Sequence, residues 1–283
     1  MREDLTPELL VRMGLVDDPG SPEVTLVLEA FAQAQAAGID PDVAGALLQA
    51  YGRAVGRIAN AEADLAVHRL ERLPPEEREA QTELLLDELL PLATTVFDAF
   101  HRFQVRRLVQ RRLRLPADVV EGPDHDATPA SVAFVDLCDS TGFMRDASVG
   151  QIRALADEVY LAGQEVAVRH DVLAAKFLGD GVLLVSRERE ALVDATRAAV
   201  AELGRRTPMS ASAGMAHGPV LRRAGDYYGM PVNLAARLAE LAPPETVYAD
   251  AGAVLPGAPV TMWATVAPRG VREDLRVAVL RPS

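Results

Sequence analysis

The chain is poor in features that mark secreted and membrane proteins. It has one cysteine, Cys138, among 283 residues, which excludes an internal disulfide. Its apolar runs are all shorter than the roughly 20 residues that a membrane-spanning helix needs. The first ten residues mix charged side chains with leucines, unlike a secretion signal. We therefore expect a soluble, cytoplasmic protein.

Acidic side chains outnumber basic ones, 41 to 29. The formal net charge is -12 at pH 7, which argues against general binding of nucleic acid or anionic membranes, because no overall positive field attracts phosphates. Lys176 is the only lysine, and every other fixed positive side chain is arginine. Lysine is a compact donor that can reach a single acceptor in a narrow pocket. This position either needs an ammonium group or is a chance survivor.

The sequence pattern changes near residue 116. Residues 1–115 repeat alanine and leucine at three- and four-residue spacing, which predicts an all-α domain. Residues 116–129 hold three prolines and predict a linker. In residues 130–283, short apolar runs alternate with helical stretches, which predicts an α/β or α+β layer fold.

Two predicted helices of the first half have distinctive faces. The helix that follows Asp40 and Pro41 carries apolar side chains on one side: Leu47, Leu48, Tyr51, Val55 and Ile58. The last helix, about Leu92 to Leu115, ends in a cluster of arginines: Arg106, Arg107, Arg111, Arg112 and Arg114. These arginines could contact nucleic acid, as in a transcription regulator. A solvated cationic face that complements the helix dipole is the preferred interpretation in so acidic a chain.

Two aspartates in the second half suggest a cation site. Asp136 lies where an apolar strand gives way to a polar turn, and Asp180 lies between two glycines at a predicted hairpin tip. A carboxylate at the end of a buried strand is costly unless a positive group binds it. The pair could hold magnesium, which takes its other ligands from phosphate and water. Taken singly, each is also compatible with an ordinary turn or helix cap.

The spacing of polar residues resembles the class III adenylyl and guanylyl cyclases. The first motif is Phe-Val-Asp-Leu-Cys-Asp-Ser-Thr, which holds Asp136, and the second is Lys176 four residues before Asp180. In the third, Asp226 precedes Asn233 by seven residues, and Arg237 follows four later. The segments AGMAHGPV and PRGVREDLRVAVL resemble the family's glycine-bearing strand and its terminal strand pair. The resemblance covers about Ala130 to Arg281 and implies a ferredoxin-like α+β catalytic domain.

The resemblance also implies the roles of these residues. Asp136, Asp180 and the Leu137 carbonyl would hold two Mg²⁺ or Mn²⁺ ions, and Arg237 would stabilise charge on the α-phosphate of ATP. Asn233 would orient the ribose, and the outer phosphates would contact Arg222 or Arg223. In this family the metal residues of one protomer face the Lys, Asp, Asn and Arg of its partner, so a homodimer is implied.

Base selectivity is implied by Lys176 and Asp226. A lysine can donate to adenine N1, and an aspartate can accept from the 6-amino group, whereas guanine presents the reverse pattern. In the family, a Lys and Asp pair marks adenylyl cyclases, and a Glu and Cys type of pair marks guanylyl cyclases. The expected reaction is therefore conversion of ATP to cyclic AMP and pyrophosphate.

The first half resembles the helical regulatory domain of some actinobacterial class III cyclases, including pH-responsive ones. That resemblance implies a dimeric platform, with His68, His101 or His125 as possible pH sensors and a lipid-like ligand as a possible regulator. Each histidine could equally be an ordinary surface or packing residue.

The residues present argue against two other functions. A degenerate, inactive nucleotide-binding module would lack at least one of the six polar residues, and all six are present. A diguanylate cyclase would need a Gly-Gly-Asp/Glu-Glu-Phe hairpin, where this chain has Lys-Phe-Leu-Gly-Asp-Gly.

Overall fold

The computed structural model describes residues 5–114, 127–223, 225–271 and 273–283. The chain forms two compact units, Met1–Pro116 and Ala117–Ser283. Most of the predicted linker, with His125, lies outside the described residues. The first strand begins at Ala127, so residues 127–129 are strand rather than the linker that the sequence predicts.

The first unit is helical throughout its described part. Its helices are α1 (Pro7–Arg12), α2 (Pro22–Ala36), α3 (Pro41–Leu70), α4 (Pro75–Leu84) and α5 (Leu90–Arg114), and a π-helical turn, Leu85–Leu89, joins α4 to α5. The first four helices begin with proline, whose fixed φ suits the first helical position and whose missing N–H costs nothing there. Thr6 caps α1 by accepting a hydrogen bond from the Leu9 N–H at 3.2 Å.

Few apolar side chains of this unit are buried. Among its described residues the buried ones are Leu9, Leu10, Val24 and Ala44. The apolar side of α3 that the sequence predicts is largely exposed: Leu47 is 53% accessible and Val55 is 43% accessible. None of the helices in the described residues is both long enough and apolar enough to cross a bilayer.

The second unit is built on a twisted sheet of eight strands. They are β1 (Ala127–Leu137), β2 (Leu173–Phe177), β3 (Gly181–Ser186), β4 (Ala211–Arg223), β5 (Asp226–Tyr228), β6 (Val247–Asp250), β7 (Val260–Val266) and β8 (Leu275–Leu280). The order is β2-β3-β1-β4-β6-β8-β7, with β5 paired to β4. The first four strands with their helices form the βαββαβ arrangement of a ferredoxin-like fold, which confirms the predicted α+β class.

Helices cover both faces of this sheet. They are α6 (Ser140–Asp146), α7 (Val149–Arg169), α8 (Arg189–Arg206) and α9 (Met230–Leu241). Residues of α7 and α8 pack with Ala133, Val135 and Leu137 in the larger core cluster. Ala235 of α9 packs with Ala130 and Val132 in the smaller cluster on the other face. Since side chains alternate along a strand, Asp136 belongs to the α9 face of β1.

The terminal strand pair differs from the one expected. The sequence suggested that residues 268–280 would supply both strands, but they supply only β8, and its partner β7 lies earlier in the chain. Met262 and Trp263 of β7 are exposed, as its place at the sheet edge allows. Because β7 has one neighbouring strand and little buried surface, its apolar side chains do not show the usual alternation.

Candidate active site

Asp136 and Asp180 lie at the same edge of the sheet. Asp136 is paired with Gly181 across β1 and β3, and the Leu137 N–H donates to the Asp180 carbonyl at 3.1 Å. A Cβ at position 181 would lie 2.7 Å from Oδ1 of Asp136, so only glycine fits beside that carboxylate. Ser140, at the start of α6, donates to Oδ2 of Asp180 at 2.5 Å. These contacts hold the two residues next to each other and orient the Asp180 carboxylate.

The electrostatics of this edge favour a cation. The pKa of Asp136 is raised to about 6. Partial removal from water is the largest cause and the negative charge of Asp180 adds to it, while a hydrogen bond from the Leu137 N–H lowers the pKa. The residue as a whole is still exposed, so solvent can reach the carboxyl. A positive ion bound beside Asp136 would offset the unfavourable effects of burial and of the Asp180 charge on its ionised form.

The donor set fits a hard divalent ion better than a zinc-type site. Within the described residues there is no group of three or more His, Cys, Asp or Glu side chains arranged to hold a metal. Magnesium commonly binds through one or two carboxylates and completes its shell with substrate phosphates and water. Asp136, Asp180 and the Leu137 carbonyl suit that mode of binding.

Lys176 and Asp226 meet although fifty positions separate them. The Lys176 Nζ donates to Oδ2 of Asp226 at 3.1 Å, and both side chains keep substantial access to solvent. The pairing of β2 with β3 shifts register between Ala174 and Lys176, which marks a bulge. Ala174 and Phe177, three residues apart, consequently contact the same core cluster, and Lys176 is redirected away from it.

Asn233 and Arg237 lie on the exposed side of α9. They are four residues apart, and both side chains are exposed. The opposite side of the helix rests on β4 at Gly214, where a Cβ would lie 2.1 Å from the Ala235 carbonyl oxygen. Backbone contact of this kind sets the rotation of α9, and therefore the direction in which Asn233 and Arg237 point.

Arg222 and Arg223 end β4, and both are exposed. Arg223 is paired with Asp226 across the hairpin, and Arg222 is paired with Tyr227. Paired residues share a face of the sheet, so Arg223 accompanies Asp226 and Arg222 points to the other face. The two arginines therefore do not have equivalent access to the Lys176 and Asp226 pair.

These groups remain separate within one chain. In the described part of the structure, no hydrogen bond or ion pair joins Asp136 or Asp180 to Lys176 or Arg237. Arg237 instead contacts Glu240, which the sequence analysis did not single out. Ser140, the partner of Asp180, was missed as well. The spacing of Glu240, seven residues after Asn233 on one helix face, was the available signal for it.

Known proteins include several with similar sequences. An uncharacterized protein of Mycobacterium tuberculosis, Rv2212, is 30% identical over 219 residues, which cover 75% of this chain and 57% of that protein. The pH-sensitive adenylate cyclase MT1302 of the same species is 26% identical over 293 residues, covering 96% of this chain and 72% of that protein. An adenylate cyclase of Glutamicibacter nicotianae is 30% identical over 188 residues, covering 62% and 47%. The chain thus spans a little over half the length of the first relatives.

Solved structures share the fold of the second unit. The catalytic core of a rhodopsin-guanylyl cyclase with converted specificity, solved in complex with ATPαS, aligns over 56% of this chain and 97% of its own with a TM-score of 0.50 and 17% identity. No family model matches the sequence. The named relatives and the shared catalytic fold nevertheless agree with the motif resemblance. The sequence is thus similar to those of adenylate cyclases, and the second unit has the fold of a nucleotidyl cyclase catalytic core.

Proposed function

We propose that this protein is an adenylyl cyclase, which converts ATP to 3′,5′-cyclic AMP and pyrophosphate. The observation that carries the proposal is the contact between Lys176 and Asp226 at 3.1 Å. A donor and an acceptor held side by side match N1 and the 6-amino group of adenine. Guanine offers a donor at N1 and an acceptor at O6, so it would meet like groups at both positions.

Asp136, Asp180 and the Leu137 carbonyl would hold two Mg²⁺ or Mn²⁺ ions. When bound, such ions lower the pKa of the ribose 3′-hydroxyl and neutralise the triphosphate. Ser140 engages one oxygen of Asp180, which restricts the rotation of that carboxylate. Gly181 leaves room for the Asp136 carboxylate at the strand edge.

Arg237 and Asn233 would act on the reacting part of the nucleotide. The 3′-oxygen forms a bond to the α-phosphorus as the bond to the departing pyrophosphate breaks, and the hydroxyl proton is lost to solvent. Arg237 would stabilise the charge that builds on the α-phosphoryl oxygens, and Asn233 would orient the ribose. Of the two arginines at the end of β4, Arg223 shares the face of Asp226 and Arg222 lies on the other face, and one of the two would contact the outer phosphates.

The proposal requires a homodimer. Asp136 and Asp180 make no contact with Arg237 in one described chain, and Arg237 faces outward on α9. A second copy, related by two-fold symmetry, would bring the arginine of each protomer to the carboxylates of the other, giving two composite sites.

The helical unit would regulate this assembly. The exposed apolar sides of α3 and α5 suit a second copy of the same helices, as the resemblance to dimeric regulatory domains implies. His101 of α5 stacks on Phe97 and lies 3.5 Å from the hydroxyl of Tyr51 in α3. Of the two described histidines considered as pH sensors, His101 therefore contacts a second helix, whereas His68 is exposed. A lipid-like ligand of the helical unit is the second regulator that the resemblance suggests.

A direct assay tests the proposed function. The purified full chain is incubated with ATP or GTP, each with Mg²⁺ or Mn²⁺, and products are separated by chromatography and identified by mass. We expect cyclic AMP from ATP and at least about tenfold less cyclic GMP from GTP. Nucleotide binding without any cyclic product would instead support the non-catalytic cyclase-like module.

A further inference from the structure

Glu240 extends the exposed stripe of α9 by one turn. Asn233, Arg237 and Glu240 are separated by four and then three residues, so all three side chains leave the same side of the helix. The other side is occupied by Ala235, Leu238 and Ala239, which are buried against the sheet. Since Asn233 and Arg237 are the proposed ribose and phosphate groups, Glu240 is the third polar group on the catalytic side of α9.

The contact between Glu240 and Arg237 uses one nitrogen of the guanidinium. The terminal NH1 group of Arg237 donates to Oε1 at 2.7 Å and to Oε2 at 2.8 Å. The other terminal nitrogen and Nε have no acceptor among the described residues. A guanidinium is a rigid planar fork, so fixing one nitrogen also fixes the direction of the other two.

We propose that Glu240 is a positioning residue for Arg237, holding one guanidinium nitrogen so that the remaining donors are directed at the α-phosphoryl group of a nucleoside triphosphate. This inference rests on the proposed cyclase function. An exposed ion pair between neighbouring turns of a helix contributes little to stability, and Arg237 and Glu240 are 44% and 60% accessible. Preorganisation of a charged donor matters far more in a site where charge develops during the reaction.

Glu240 also has an electrostatic effect on the metal-binding side. Its negative charge contributes, as the weakest of the causes, to the raised pKa of Asp136 in the same chain. Glu240 could therefore serve either Arg237 or Asp136. In a homodimer these two residues belong to different composite sites, so the two possibilities can be separated by mixing variants.

The first experiment compares Glu240→Gln with the wild-type full chain. If the carboxylate positions Arg237, kcat falls about tenfold while KM for ATP changes little, because an interaction made in the transition state is lost. The affinity for 3′-deoxy-ATP, which lacks the attacking hydroxyl, stays within about twofold of wild type. Adding Glu240→Gln to Arg237→Ala causes no further loss. Asp194→Asn, which removes the carboxylate of a similar exposed ion pair on α8, is the matched control and keeps wild-type kinetics.

The second experiment mixes Glu240→Gln with Asp180→Ala in equal amounts. Mixed dimers then contain one site whose carboxylates come from the Glu240→Gln chain and whose Arg237 and Glu240 come from the Asp180→Ala chain. We expect activity severalfold above that of the same amount of Glu240→Gln alone. If activity does not rise, although an equal amount of Asp180→Ala mixed into wild type leaves the wild-type activity undiminished, Glu240 acts through Asp136 and the inference is overturned.

Two further outcomes are decisive. Unchanged kcat in Glu240→Gln, with an active wild type, overturns the positioning role and leaves the proposed function intact. A wild-type protein that makes no cyclic nucleotide overturns both.

Discussion

The two units of this chain bury their apolar residues in very different ways. In the second unit the sheet is covered on both faces, and residues such as Leu184 and Met215 are fully buried. In the described part of the first unit, four apolar residues are buried, and long apolar sides of α3 and α5 remain exposed. The second unit thus has its own core, whereas the helical unit needs another surface to cover it.

The largest expected difference between the units is catalytic. Asp180→Ala should reduce cyclase activity at least about 100-fold, because a proposed metal ligand is lost, while the melting temperature is maintained. Asp98→Ala, which removes an exposed carboxylate paired with Arg102 in the helical unit, should keep activity near wild type. Initial rates of cyclic AMP formation provide the measurement.

A complementation test checks whether each active site is shared between two protomers. Equal mixing of Asp180→Ala with Arg237→Ala should restore part of the activity, since mixed dimers contain one intact composite site. Failure of the mixture, with both variants folded, would contradict sites shared between protomers.

Shortening a buried side chain should also affect the stability of the two units differently. Leu184→Ala should lower the free energy of unfolding by about 2–5 kcal/mol, as is usual for a fully buried leucine. Urea denaturation followed by the fluorescence of Trp263, the only tryptophan, reports directly on the second unit.

The matched substitution in the helical unit is Leu47→Ala. Because Leu47 is 53% accessible, the transition reported by Trp263 should not move, and self-association measured by sedimentation equilibrium should weaken. Unaltered self-association would show that this side of α3 is not the covered surface.

Base selectivity should change by a smaller factor. Lys176→Ala removes the proposed donor to adenine N1, so the ratio of kcat/KM for ATP over GTP should fall about 10- to 100-fold. The control in the helical unit is Arg102→Ala, which breaks the exposed contact with Asp98. A selectivity ratio equal to that of wild type would remove the main support for Lys176 as a base-reading residue.

The smallest effect concerns pH and stability without metal. The pKa of Asp136 is raised to about 6 in the folded chain, so ionisation there opposes folding. Protonated Asp136 therefore favours the folded state. This contribution to stability is fully present below about pH 3.8 and is lost as pH rises through about 6. In EDTA, Asp136→Asn should therefore stabilise the second unit by about 1 kcal/mol at pH 8, a value reduced for solvent screening, and by almost nothing near pH 4.

Urea titrations at the two pH values measure this effect. Asp98→Asn is the control for loss of one acidic side chain in the helical unit. Equal stability of Asp136→Asn and wild type at pH 8 would contradict the unfavourable ionisation of Asp136.

Local sequence features predicted much of this architecture. A layered fold of strands and helices followed from short apolar runs that alternate with helical stretches. The placement of Asp136 at a strand end followed from an apolar run that stops at a polar turn, and both are found. Helix starts were readable from prolines, as at Pro41 and Pro75. Strand β7 was missed because its exposed Met262 and Trp263 do not alternate with polar residues in the usual way.

Contacts between elements that are distant in the sequence could not be predicted from local sequence patterns. The bulge that turns Lys176 toward Asp226 depends on how β2 pairs with β3, which no single segment encodes. The Ser140 contact with Asp180 needs the start of α6 to lie beside the β2–β3 turn. The motif spacing indicated which residues belong to the site, and their catalytic roles stay predictions that the variants above can test.

The close approach of α9 to Gly214 has a consequence for any switching of activity. Backbone atoms of strand and helix are already so near that α9 has no space to slide or roll across the sheet. Asn233 and Arg237 therefore move together with β4 as one rigid body. In the proposed homodimer, an on–off mechanism would therefore displace whole catalytic units against each other and leave the packing of α9 on β4 unchanged.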